Sequence, residues 1–91
     1  MSEREGMMVW AGKGFVKGFR GVYRIVVAAT SREEAAEALG LLPLDFQVRY
    51  SVSRSPQDLA LYQGEASVGD IFASPMGRSQ YEQYEVADIE A

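Results

Sequence analysis

Residues 22–40 read VYRIVVAATSREEAAEALG, a buried strand running directly into a capped helix, and the rest of the chain is placed relative to this unit. Val22, Tyr23, Ile25, Val26 and Val27 are β-branched or aromatic and nearly consecutive, a set that suits a pleated strand with substantial burial. Ser31 with Glu34 forms an S-x-x-E capping box, in which the Ser hydroxyl accepts one orphan helix N–H and the Glu reaches back to the cap. Glu33 and Glu34 sit in the positively polarised first turn. Ala35, Ala36, Leu39 and Leu42 supply the apolar stripe. Gly40 is a natural left-handed stop, and Pro43 is expected to prevent the helix from resuming.

After this unit, Leu44–Ser53 alternates. Leu44, Phe46, Val48, Tyr50 and Val52 fall on one side, and Asp45, Gln47, Arg49, Ser51 and Ser53 on the other. Period-two alternation predicts a strand with one buried and one wet face. A sheet containing such a strand carries helices on one side only.

Upstream, Met7–Val16 reads as a strand in which Gly12 and Gly14 predict a bulge or a close backbone approach. Lys17–Gly21 turns it into the central strand as a hairpin. Downstream, Ser55-Pro56-Gln57-Asp58 predicts a second helix start, with a strand through residues 59–65 as its rival. Gly69–Pro75 predicts a last short strand at a sheet edge. The expected architecture is α+β: a two-layer β-β-α-β-α-β sandwich, with a mostly antiparallel sheet and helices on one face. Residues 1–6 form a polar N-terminal end, 7–77 a single domain and 78–91 an acidic C-terminal tail anchored by Tyr81, Tyr84, Val86 and Ile89.

Composition narrows the chemistry. The 91 residues carry net charge −4 and contain neither His nor Cys. Disulfides and thiol catalysis are excluded, zinc and iron–sulfur sites lose their usual ligands, and the commonest general base is missing. No cofactor and no metal are expected. No apolar run is long enough to span a bilayer and the first residues do not read as a signal peptide, so the expectation is a cytoplasmic protein. Charge is uneven. Residues 1–54 hold eight Lys/Arg against six Asp/Glu, whereas residues 55–91 hold one Arg against seven acids. The halves thus suit different partners, or the second is simply a solvated acidic end.

Three surfaces carry candidate function. The segment Gly12–Gly21, GKGFVKGFRG, interleaves Lys13, Lys17 and Arg20 with Phe15 and Phe19. Cations meet phosphates and aromatics stack bases, so these residues with Arg24 form a possible nucleic-acid surface. The structural alternative is a hairpin with core Phe residues and Lys residues that solubilise an edge. Arg24 and Arg49, with Gln47 and Ser51, form a possible polar platform on the wet sheet face, or each Arg lies over apolar surface, Val22 and Val26 in particular. Tyr81, Glu82, Tyr84 and Glu85 combine aromatic anchors with negative charge and suit docking on a basic protein surface, or they belong to a self-packed end. Glu65 with Asp70, and Glu82 with Glu85, have no spacing that defines a two-carboxylate site, and no Ser or Tyr has a recognisable basic partner.

The stretches Met8-Val9-Trp10, IVVAATSREEAAEALG (25–40) and VGDIFASP (68–75) together resemble small proteins carried by phages and prophages. Such proteins run hairpin, strand-to-helix, alternating strand, short helix, last strand, and the likeness covers residues 8–75. It implies a small accessory protein of a mobile element. Some proteins of that class bind and block host defence machinery, as anti-CRISPR proteins do. The leading expectation is a non-enzymatic protein-binding module or inhibitor that occupies a surface of a larger protein. A small nucleic-acid-binding domain is the alternative, and self-association a third.

Overall fold

The computed structural model describes residues 7–63, 67–76 and 80–90. The polar N-terminal end and Arg78 lie outside them. The fold is α+β with a mostly antiparallel sheet, six strands among the described residues. Strand β1 is Met8–Val16 and β2 is Tyr23–Ala29; helix α1 is Arg32–Ala38 and α2 is Pro43–Arg49. Then follow β3 (Tyr50–Val52), the one-turn helix α3 (Pro56–Ala60), β4 (Ile71–Pro75), β5 (Glu82–Tyr84), a 3-10 turn (Val86–Asp88) and β6 (Ile89–Glu90). The spatial order is β3-β1-β2-β4-β5, and β6 pairs with the far end of β1.

The strand–helix unit forms as its residues dictate. Residues 25–29 of β2 are all completely buried. The Glu34 amide donates to Ser31 Oγ at 3.1 Å. Glu34 Oε1 accepts from the backbone N–H of Thr30, one residue before the expected cap partner. Gly40 adopts φ +71°, the left-handed stop that its lack of a side chain permits. Gly12 serves a close approach, because a Cβ there would lie 2.6 Å from the Arg49 carbonyl oxygen and 2.7 Å from the Tyr50 ring.

The expected strand over Leu44–Ser53 is corrected: residues 43–49 are helical and only 50–52 extend. Pro43 does not keep the chain from re-entering a helix. It starts one, its fixed φ suiting the first helical position. Asp45 in the first turn and Arg49 in the last complement the helix dipole. Phe46 is the sole buried anchor, stacked on Tyr50 (4.9 Å, 7°) and edge-on to Trp10 (5.5 Å, 63°). The helix therefore leaves Leu42, Leu44 and Val48 71%, 76% and 86% exposed. Leu42 is thus no member of the buried stripe, which ends at Leu39.

Two apolar clusters lie on opposite faces of the sheet. On one, Trp10, Tyr23, Ile25, Val27, Ile71 and Ala73 pack against α1, α2 and Ile89. On the other, Val9, Ala11, Val26 and Ala28 pack against Tyr62, just beyond α3. Helices α1 and α2 thus share one face, and α3 lies on the other. Strand β3 meets Trp10, Ala11 and Gly12 at one sheet edge, and β5 pairs with β4 at the opposite edge.

Within the stretch read as an acidic tail, the described residues 80–90 contribute two strands to the sheet. Its β5 pairs with β4, and Val16↔Ile89 and Phe15↔Glu90 pair β6 with β1. Of its expected anchors, Ile89 is buried and Tyr84 partly so, whereas Val86 is 45% exposed.

Candidate functional site

The residues proposed from sequence as nucleic-acid contacts are not brought onto one surface. Strand alternation and the pairing Lys13↔Arg24 put Lys13, Phe15 and Arg24 on the face of α3. Phe19 lies beyond the turn and packs edge-on to Tyr23, which belongs to the other face. Lys17 and Arg20 are exposed at the turn. The platform of Arg24 with Gln47 and Arg49 does not form either. Gln47 and Arg49 belong to α2, and Gln47 accepts a 2.6 Å hydrogen bond from Arg32 of α1. Arg24 projects from the opposite side of the sheet.

Arg24 instead belongs to a polar node that sequence reasoning missed. The Asp58 side chain is completely buried and forms an ion pair with Arg24, at 2.5 Å from Nη2 to Oδ2. Ser53 Oγ also donates to Oδ2, and Tyr81 Oη donates to Oδ1 at 3.1 Å. Burial raises the Asp58 pKa, but the hydrogen bonds from Arg24 and Ser53, the Arg24 charge and the Tyr81 hydrogen bond outweigh it, so the carboxyl titrates below its ordinary value. Four chain segments meet at this carboxylate. It holds α3 and the segment before β5 against β2. The only sequence sign was Asp58 as a first-turn acid. Nothing in the spacing marks an Arg 34 positions away.

Other polar groups at this level are structural. The Tyr62 hydroxyl is shared between the carbonyls of Val26 (3.1 Å) and Asp70 (2.8 Å), and burial raises its pKa. Asp70 accepts from the Ser67 amide, so its carboxylate closes a turn. Among the described residues, no three acidic side chains gather to hold a metal ion.

The sequence-proposed docking residues divide in the same way. Tyr81 turns to Asp58, whereas the register Ala73↔Glu82 and Ile71↔Tyr84 puts Glu82 and Tyr84 on the opposite face. Gln47 and Arg49 adjoin the β3 edge, across the sheet from β5. Glu85 starts the 3-10 turn, its amide donating to Asp88 Oδ2 at 3.3 Å.

Glu82 and Tyr84 border a cleft of about 170 Å³. Its origin is a large–small–large order across three strands. Tyr23 of β2 and Tyr84 of β5 stand on either side of Ala73 and Pro75 of β4. Phe19 forms a further wall, with ring centroids 6.2 Å from Tyr23. The connection that carries it has Gly18 before and Gly21 after, and these adopt φ +85° and +89°. Tyr84 Oη donates to Glu82 Oε2 at 3.1 Å. The Tyr84 pKa is raised, first by burial, then by the Glu82 hydrogen bond and charge, with smaller contributions from Tyr23 and Asp88. An aromatic trough with a carboxylate at its rim attracts positive charge and has no nucleophile–base pair.

No family model, curated protein or solved structure matches the chain. Among the described residues no helix is long and apolar enough to cross a membrane.

Proposed function

We propose that this chain is a non-enzymatic protein-binding module that occupies a basic surface on a larger protein, with the β5 edge and the segment over residues 80–90 as its docking side. The observation that carries this reading is that Glu82, Glu85, Asp88 and Glu90 are all exposed in a segment, residues 80–90, without a single Lys or Arg. The pairing of β5 with β4 and of β6 with β1 fixes this segment at both ends, so it presents its charges at little ordering cost on binding. Complementary potentials steer such encounters and reject acidic competitors. An open edge also offers backbone groups to an added strand. On the same reading the chain acts in the cytoplasm as a phage or prophage accessory inhibitor, a proposal supported by the sequence resemblance alone.

The test is affinity capture with the tagged chain beside Glu85→Gln/Glu90→Gln. The expected result is a protein retained by the wild type and lost from the variant and at high salt. Capture of nucleic acid, released by nuclease, would favour the basic-hairpin alternative. Recovery of the chain alone, with a mass in light scattering above the monomer, would favour self-association.

A further inference from the structure

We propose that the cleft walled by Phe19, Tyr23 and Tyr84 is a receptor for one alkylammonium group, the side chain of a lysine, free or methylated, on the partner. This rests on the docking reading above and names what the docking side would hold.

Four features converge. Phe19 is 57% exposed, so burial in the core does not explain its position. Its ring and those of Tyr23 and Tyr84 border one space of about 170 Å³, while the floor is the small pair Ala73 and Pro75. Aromatic faces attract a cation through their quadrupole, and several rings around one space are how proteins hold alkylated ammonium groups. Glu82 supplies the counter-charge at the rim.

The geometry favours an ammonium over a guanidinium, because a planar fork on Glu82 would have to share Oε2 with the Tyr84 hydroxyl. A guanidinium is best held by both oxygens of a carboxylate in a planar fork. Here Tyr84 already donates to Glu82 Oε2, at 3.1 Å. A compact point charge makes no demand on that oxygen. It needs only the remaining face of the carboxylate and the surrounding rings.

The experiment is a two-dimensional NMR titration of the full chain. The probes are tetramethylammonium, choline, and one short peptide carrying in turn Lys, trimethyl-Lys, acetyl-Lys or Arg. Saturable shifts are expected at Phe19, Tyr23 and Tyr84 with the ammonium probes, and none with the neutral acetyl-Lys peptide. Phe19→Ala and Glu82→Gln each weaken the ammonium probes roughly tenfold or more. Both side chains are exposed, so a one-dimensional proton spectrum confirms that the variants remain folded. Peptides binding tighter than choline support a partner's lysine, and the reverse order overturns that assignment in favour of a free quaternary ammonium. An equal response to acetyl-Lys, tighter binding of the Arg peptide, or indifference to Phe19→Ala overturns the proposal. If the cleft fails in this way while affinity capture still depends on Glu85 and Glu90, the docking reading stands without it. Loss of that dependence would instead remove the docking reading.

Discussion

The two faces of the sheet are held by different physics. Under α1 and α2 the contact is apolar and extensive, and its weak points are polar. Trp10 Nε1 and Tyr50 Oη are buried with no hydrogen-bond partner, and burial pushes the Tyr50 phenol up to about 12 against a smaller opposing effect of Arg49. The face under α3 has a smaller apolar cluster, and a single carboxylate accepts from three side chains. Area-based contact is insensitive to pH and spreads its energy over many atoms. A charge node concentrates energy in few atoms and makes it depend on protonation.

The contrast is sharpest for Phe46→Ala on the apolar face. The ring is completely buried between Trp10 and Tyr50. Its loss should cost about 3–5 kcal/mol, enough to leave a small domain mostly unfolded in urea titration at 25 °C. A cost near that of a surface substitution would show that α2 is not seated on the sheet.

On the other face, Asp58→Asn removes the charge and keeps the shape. The expected cost is about 2 kcal/mol, below that of a wholly buried pair because Arg24 is 39% exposed. Its pH dependence distinguishes it from the first variant. The folded Asp58 titrates below the unfolded value, so its contribution is complete above about pH 4 and is lost as pH falls through the lower folded value. The wild type should lose this increment on acidification, and the variant should lack that part of the slope. Parallel acid profiles would remove Asp58 as the pH-sensitive tie.

Tyr81→Phe probes the same node more gently. It deletes one donor to Asp58 and should cost about 1 kcal/mol by thermal or urea unfolding. The smallest effect has the opposite sign. Val48 is 86% exposed on α2. Val48→Ala should stabilise by about 0.5 kcal/mol through helix propensity alone. Were this residue in a strand, the same change would destabilise.

The opposite behaviour of neighbouring stretches explains what the sequence could disclose. From 22 to 40 every local signal agrees: β-branched burial, a Ser cap, alanines on one stripe and a glycine stop. From 44 to 53 the apolar residues fit two periods at once. The five alternate positions suit a strand, while Phe46 and Tyr50, four apart, suit one helical face. Pro43, Asp45 and Arg49 suit a helix start, first turn and last turn, but Pro43 reads equally as a stop after Gly40 and the other two as the wet side of a strand. What resolved the tie is non-local, namely the seat that Trp10 offers Phe46. The aromatic anchors Tyr81, Tyr84 and Ile89 were visible near the C-terminal end. Their strands of two and three residues are too short to leave a pattern. Glu82 and Tyr84 were proposed from sequence as docking residues, but their meeting with Phe19 and Tyr23 depends on sheet order. The partners of Asp58 were equally hidden, being set by contacts across the sheet.

The pairing of β6 with β1, reinforced where the Lys17 amide donates to the Asp88 carbonyl at 2.8 Å, also governs how the molecule is made and unmade. A ribosome must deliver residue 90 beyond its exit tunnel before the first strand acquires all of its neighbours, so the final closure follows synthesis of that residue. A mechanical pull applied through residue 90 should peel away β6 and then β5. The aromatic trough, walled in part by Tyr84 of β5, should open under such a load before the β1–β2 hairpin yields.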